Sequence, residues 1–171
     1  RGFGVKIHAD EIVSFGGAEL AGELQALSAD HLLHASDTGI QAMAENHVVA
    51  TLLPLTAFTL REPYARGREM IDRGCAVALA TDLNPGSCCS GSIPLTFALA
   101  CIYMNLSVEE AITAMTLNGA AAIGRADRIG SIEVGKQGDL VVLDADTPAI
   151  LPYYTGMNAV RNTIKRGKII Y

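Results

Sequence analysis

Ala78-Leu79-Ala80-Thr81-Asp82-Leu83-Asn84-Pro85-Gly86-Ser87 decides how the rest of the chain is read. It begins as a run of small apolar residues, the composition of a buried strand. It ends in an acid, an amide, a Pro-Gly turn and a hydroxyl. A strand that runs straight into polar residues delivers them to its C-terminal mouth. In parallel α/β folds that mouth is where ligands bind. Asp82 is expected to be the last strand residue, with Asn84 to Ser87 forming a loop over it. The competing reading is a helix-capping Asp followed by a tight turn. Two upstream strands with polar residues at the same end weigh against it.

The first of these is Val5 to Glu11, which ends in His8-Ala9-Asp10-Glu11. Gly16-Gly17 then opens a helix over Ala18 to Leu27, with Leu20, Leu24 and Leu27 on one face. The second polar-ended strand is Ser28 to Leu33, carrying Asp30-His31. Ser36-Asp37 caps a helix running to about Asn46. Val48 to Leu53 is an unbroken apolar strand closed by Pro54, followed by a loop containing Phe58, Arg61 and Glu62. A helix from Tyr64 to Arg73 ends at Gly74, and Cys75 to Thr81 is the fourth strand. Alternation of strands and helices argues for a parallel sheet. Four such units cannot close an eight-stranded barrel, so a half-barrel or a short open sheet is expected.

Beyond the loop, Pro94 to Met104 reads as an apolar helix. Ser107-Val108-Glu109-Glu110 is a capping box opening a helix to about Leu117. An Ala-rich helix follows over Asn118 to Gly124. Gly130 to Gly138 is rich in turn residues, and Asp139 to Asp144 is a strand. Val160 to Lys165 and Lys168 to Tyr171 flank Arg166-Gly167 as a hairpin. A boundary near Ile129 divides residues 1–129 from a small β layer over 130–171.

The 171 residues suffice for one domain with a real core, and half of them are hydrophobic. A net charge of −5 without a basic tract argues against a nucleic-acid partner. No apolar run is long enough to cross a membrane. Cys75, Cys88, Cys89 and Cys101 contain no CxxC pair, so free thiols in a reducing cytoplasm are expected. Arg1-Gly2-Phe3-Gly4 leads at once into an apparent core strand, and the chain stops inside another at Tyr171. We expect a portion of a longer polypeptide.

His8, His31 and Asp82 all fall at strand ends on a common rim. Imidazole nitrogen and carboxylate oxygen are ligands that a catalytic Zn²⁺ or iron ion takes. Glu11, three residues past His8, is a candidate general acid/base. Singly, each has a structural alternative: a hydrogen-bonded His at a strand end, or an acid at a helix start. Four such residues at one end of one sheet are harder to explain structurally. His34 and His47 read as surface or structural residues. Cys88 and Cys89 read as small fillers beside the loop, Arg61 as a solvated loop residue, and Lys136 as solvent-facing.

His8-Ala9-Asp10-Glu11, the Asp30-His31 pair and Thr81 to Ser87, together with Gly16-Gly17-Ala18 and the tail Gly130-Ser131-Ile132-Glu133-Val134-Gly135-Lys136-Gln137-Gly138-Asp139-Leu140-Val141, resemble the C-terminal half of the imidazolonepropionase family of amidohydrolases. The resemblance implies an α/β fold: half of a TIM (β/α)8 barrel plus part of a small β-sandwich domain. It implies one Zn²⁺ or Fe³⁺ held in part by His8 and Asp82, and catalytic roles for Glu11, His31 and Asp82. Glu11, Asn84, Gly86 and Ser87 would contact substrate. The reaction implied is hydrolysis of 4-imidazolone-5-propanoate to N-formimino-L-glutamate in the cytoplasm. A His-x-His metal pair expected on the first barrel strand is not in these residues. The implied partner is therefore the rest of the polypeptide or a second copy in a homodimer. Two readings compete: a mononuclear-metal purine or pyrimidine aminohydrolase, and a non-catalytic half-barrel.

Overall fold

The computed structural model describes residues 4–171, so the run-in over Arg1-Gly2-Phe3 lies outside the described residues. Four parallel strands, β1 (Lys6–Ala9), β2 (Ser28–His31), β3 (Val49–Leu52) and β4 (Val77–Leu79), form one open sheet in sequence order. The register sets His8 beside Asp30, Ala9 beside His31, and Thr51 between Asp30 and Ala78. β3 and β4 are buried throughout, as their largely apolar character requires, whereas β1, at an edge of the sheet, exposes Lys6 and His8.

The connecting helices are α1 (Gly17–Glu23), α2 (Asp37–Glu45), α3 (Pro54–Leu60) and α4 (Gly67–Asp72). Three readings need correction here. α1 stops at Glu23 instead of Leu27, and Leu20, Leu24 and Leu27 are exposed. Its buried face is Ala18, Ala21 and Gly22, because α1 and α2 pack through small residues. A Cβ on Gly39 would lie 2.6 Å from Ala18 Cβ, and one on Gly22 would lie 2.9 Å from Ala42 Cβ. Second, the segment after Pro54 is a helix and not a loop. Proline at the first helical position starts it, its missing N–H being one a helix leaves unpaired there. Arg61, in the left-handed region at φ +60°, ends it. Third, β4 ends at Leu79, so Asp82 stands three residues past the strand instead of closing it.

α5 (Ile93–Tyr103) is capped by Ser92, and α6 (Val108–Met115) carries the expected capping box between Ser107 and Glu110. α7 (Leu117–Ala122) follows after a break at Thr116. A second sheet, antiparallel in order β5-β6-β7, comprises β5 (Leu140–Leu143), β6 (Val160–Lys165) and β7 (Lys168–Ile169). The β6–β7 turn is Arg166-Gly167, both at positive φ (50° and 74°), as a two-residue hairpin favours. A short helix, α8 (Ile150–Tyr153), was not expected from the sequence. Lys136 is largely covered instead of solvent-facing, its ammonium held by Ser131 and Glu133.

Candidate active site

Three strands deliver the polar residues to one end of the parallel sheet. Asp10, His31, Leu32 and Asp82 follow or close their strands in the left-handed region, at φ 48°, 79°, 65° and 54°. None is glycine, so each conformation costs energy, and such strain gathers at functional sites.

His31 is the centre of the group. Its side chain is 3% exposed, and its Nε2 lies 2.8 Å from His8 Nδ1. One of these nitrogens donates and the other accepts, so the pair shares one proton. The opposite nitrogen, His31 Nδ1, faces Glu11 Oε1 at 3.6 Å and makes no hydrogen bond. Burial pushes the His31 pKa below its ordinary value, opposed by the charges of Glu11 and Asp82. The unpartnered Nδ1 leaves His31 one ring nitrogen free to meet a ligand.

The ligating atoms of His8, Glu11 and His31 all lie within 4.8 Å of one another. Asp82 stands outside that tight cluster but lines the same cleft as His8, with Lys6, Asp30 and Thr51, in a volume of about 270 Å³. Its Oδ2 accepts a 2.8 Å hydrogen bond from the hydroxyl of Thr56. Thr51 Oγ1, on β3, is buried and unpartnered. A buried imidazole nitrogen without a partner, a second imidazole and the Glu11 carboxylate are a nitrogen–oxygen donor set that fits a metal ion, with the Asp82 carboxylate in the cleft beside His8.

The other sequence candidates are placed as follows. Asn84, Gly86 and Ser87 form one turn in which Asn84 Oδ1 accepts from the Gly86 and Ser87 amides, each at 2.8 Å. Asn84 Nδ2 donates to the Asp82 carbonyl at 2.7 Å, tying the turn to the site. Cys88 is a buried filler against Leu55 and Leu99, and Arg61 and His47 are exposed. His34 is half-buried, its Nε2 unpartnered.

Two residues escaped the sequence reading. The Asp10 carboxylate, 6% exposed, accepts from the backbone N–H groups of Phe15, Gly17 and Ala18 at 2.8, 3.1 and 2.9 Å. It closes residues 10–18 into a ring that fixes Glu11 and starts α1. The only available signal was an acid seven residues before Gly17. Thr56 escaped because its segment reads as a loop.

An open parallel sheet with two histidines and two carboxylates at the C-terminal ends of its strands defines an α/β scaffold with a nitrogen–oxygen donor centre. The chain belongs to the amidohydrolase family, which matches residues 2–170. It is 82% identical to the imidazolonepropionase of Phocaeicola vulgatus over 170 residues, 99% of this chain and 41% of that protein. It is 66% identical to that of Clostridium tetani over 170 residues, again 99% of this chain and 41% of that protein. The chain thus spans about two fifths of the length of the curated relatives it matches. Among solved structures, an adenosine deaminase from Xanthomonas campestris with bound zinc is 25% identical, with a TM-score of 0.85 over 98% of this chain and 45% of that one. A triazine hydrolase variant, 20% identical over 98% of this chain and 43% of that one, shares the fold with a TM-score of 0.80.

Proposed function

We propose that the chain is the C-terminal half of an imidazolonepropionase and carries most of its catalytic groups. The observation that carries this reading is the convergence of His8, Glu11, His31 and Asp82 in a chain 82% identical to a protein of that name. The reaction is hydrolytic opening of the ring of 4-imidazolone-5-propanoate to N-formimino-L-glutamate. His8 and Asp82 would hold the Zn²⁺ or Fe³⁺. The ion, when bound, supplies a Lewis acid that makes water a stronger acid.

The chain's own groups do the rest. Glu11 takes a proton from the attacking water at a carboxylate oxygen and passes it to the leaving ring nitrogen. His31, buried and aligned by His8, donates a hydrogen bond to the ring carbonyl oxygen as negative charge develops there. Asp82, held by Thr56, orients the water. The loop of Asn84, Gly86 and Ser87, with Glu11, grips the substrate's polar edges.

In this reading residues 1–129 are half of a TIM barrel and 130–171 part of a β-sandwich. The enzyme works in the cytoplasm, as a homodimer or with its N-terminal half in place. Support for a missing complement comes from the exposed edge strand β1 and from Leu20, Leu24 and Leu27, which lie open on and just past α1. No helix among the described residues is long and apolar enough to cross a membrane.

The test is turnover of imidazolonepropionate by the native-length protein, followed as loss of substrate absorbance, with activity removed by a chelator and restored by Zn²⁺ or iron. A second reading, a purine or pyrimidine aminohydrolase, is favoured by the likeness to the adenosine deaminase. Release of ammonia from adenosine or a pyrimidine, with imidazolonepropionate untouched, would replace the first reading by the second.

A further inference from the structure

We propose that Thr56 is a positioning residue for Asp82: its hydroxyl binds Oδ2 and leaves Oδ1 as the oxygen that serves the cleft. The proposal rests on the assignment of Asp82 to the reaction made above.

Of the threonines within or closing helices elsewhere in this chain, Thr38 donates across the α1–α2 contact to Glu19, whereas four others bond locally. Thr59, Thr96, Thr113 and Thr116 each donate their hydroxyl to the carbonyl four residues back. That is the ordinary local bond of a threonine in a helix. Thr56 does not make it. It sits in the first turn of α3, so the carbonyl four residues back belongs to Leu52, the last residue of β3. Leu52 O already accepts from the Ala80 amide at 3.2 Å, in continuation of the sheet. The Thr56 hydroxyl, on a residue only 2% exposed, instead reaches 26 residues along the chain to Asp82.

Asp82 needs such a partner. It lies past the end of β4 at φ +54°, so no strand ladder holds it. Among the described residues its carboxylate accepts a hydrogen bond from Thr56 alone. Thr56 itself is immobilised, because Pro54, Leu55 and Ala57 around it are all buried. A buried hydroxyl on a rigid first turn thus fixes a carboxylate on a strained loop. Partners of this kind orient a ligating or reacting carboxylate, and their loss usually lowers metal affinity or activity by about 10–100-fold.

The test uses Thr56→Val and Thr56→Ser in the native-length protein. Zn²⁺ affinity is measured by competition with a chromophoric chelator, alongside kcat and KM for imidazolonepropionate. Thr56→Val is expected to lower Zn²⁺ affinity and kcat by about 10–100-fold with KM unchanged, and Thr56→Ser to restore both. In an Asp82→Ala background Thr56→Val should have no further effect on Zn²⁺ affinity. Should Val not be accommodated, Thr56→Ala is read in the same way. Crystal structures of the variants are expected to show the Asp82 carboxylate turned away from its wild-type position. Wild-type Zn²⁺ affinity together with an unmoved Asp82 overturns the proposal. If the unsubstituted protein neither binds Zn²⁺ nor turns over substrate, the reading of function fails by itself, and the position of Asp82 in the variants still decides the role of Thr56.

Discussion

The rim of the parallel sheet and the antiparallel tail treat their polar residues in opposite ways. At the rim, His31 Nδ1 and Thr51 Oγ1 are buried without partners. Four non-glycine residues there sit at positive φ, and the carboxylate of Glu11 stops short of the imidazole it faces. In the tail, Asp139 is saturated: Gln137, Lys165 and the Arg166 amide all donate to it. The tail spends its acid on holding a hairpin, whereas the rim leaves acids and imidazoles under-satisfied. Under-satisfaction is a stability cost that persists where something outside the chain completes the bonding.

The sharpest way to break this contrast is to remove the rim's chemistry without touching its shape. Glu11→Gln and Asp82→Asn keep size and remove the negative charge. Each is expected to lower ring opening in the native-length protein by about 10²–10⁴-fold, the usual contribution of a positioned acid or base. Circular dichroism should remain that of the parent. Near-normal turnover of Glu11→Gln would rule Glu11 out as the proton carrier and leave the rim no more chemical than the tail.

The next largest effect concerns Asp10, a rim acid that behaves like a tail acid. Its buried carboxylate takes three backbone N–H groups, so Asp10→Ala strands donors that α1 cannot satisfy. A cost of about 3 kcal/mol is expected, at the upper end for hydrogen bonds to a charged group. The loss is read as a lower urea midpoint at unchanged slope. Turnover should fall too, because Glu11 follows directly on Asp10. A variant as stable as the parent would show that the ring over residues 10–18 is held by its backbone alone.

Much of this division could be read from residue order. The strand-ending polar residues His8, His31 and the stretch after Thr81 converge because a parallel sheet sends all its C-terminal ends to one side. The capping box at Ser107 and the Arg166-Gly167 hairpin carry local chemistry that tertiary packing does not override. What escaped was set by packing. Leu20, Leu24 and Leu27 have the spacing of a buried stripe, yet Gly22 and Gly39 let α1 and α2 close on their small-residue faces instead. Pro54 ends a strand and begins a helix in one residue, so a sequence reader sees the first role and misses the second. Thr56 was hidden with it, since its partner lies 26 residues away.

Gly39→Ala tests that close approach. The added methyl would meet Ala18 Cβ at 2.6 Å and Glu19 Oε2 at 2.9 Å, and α1 must shift to admit it. Overpacking of this kind costs about 1–3 kcal/mol. The expected result is a lower melting temperature with the tail hairpin's amide protection unchanged, confining the damage to the rim's scaffold. A variant as stable as the parent would mean that the two helices have slack.

The smallest effect sharpens the comparison from the tail side. The hydrogen bond from Lys165, then the Arg166 amide, hold the Asp139 pKa down to about 2, against an ordinary value of 3.8. A carboxylate with a depressed folded-state pKa contributes stability that is fully present above its unfolded value and lost as pH falls through the folded one. The window is therefore about pH 4 down to pH 2. Asp139 lies at the surface with its side chain partly exposed, so salt and water screen the pairing and the whole fold should not respond. The response should be local: faster exchange of the Arg166 amide as pH falls through the window, after correction for intrinsic rates. Asp139→Asn should show the fast rate already at pH 5 and no further change below it. An Arg166 amide in the parent whose corrected protection is flat from pH 5 to pH 2 would mean that the hairpin is held by its turn and ladder, and that Asp139 is no more committed to structure than the acids of the rim.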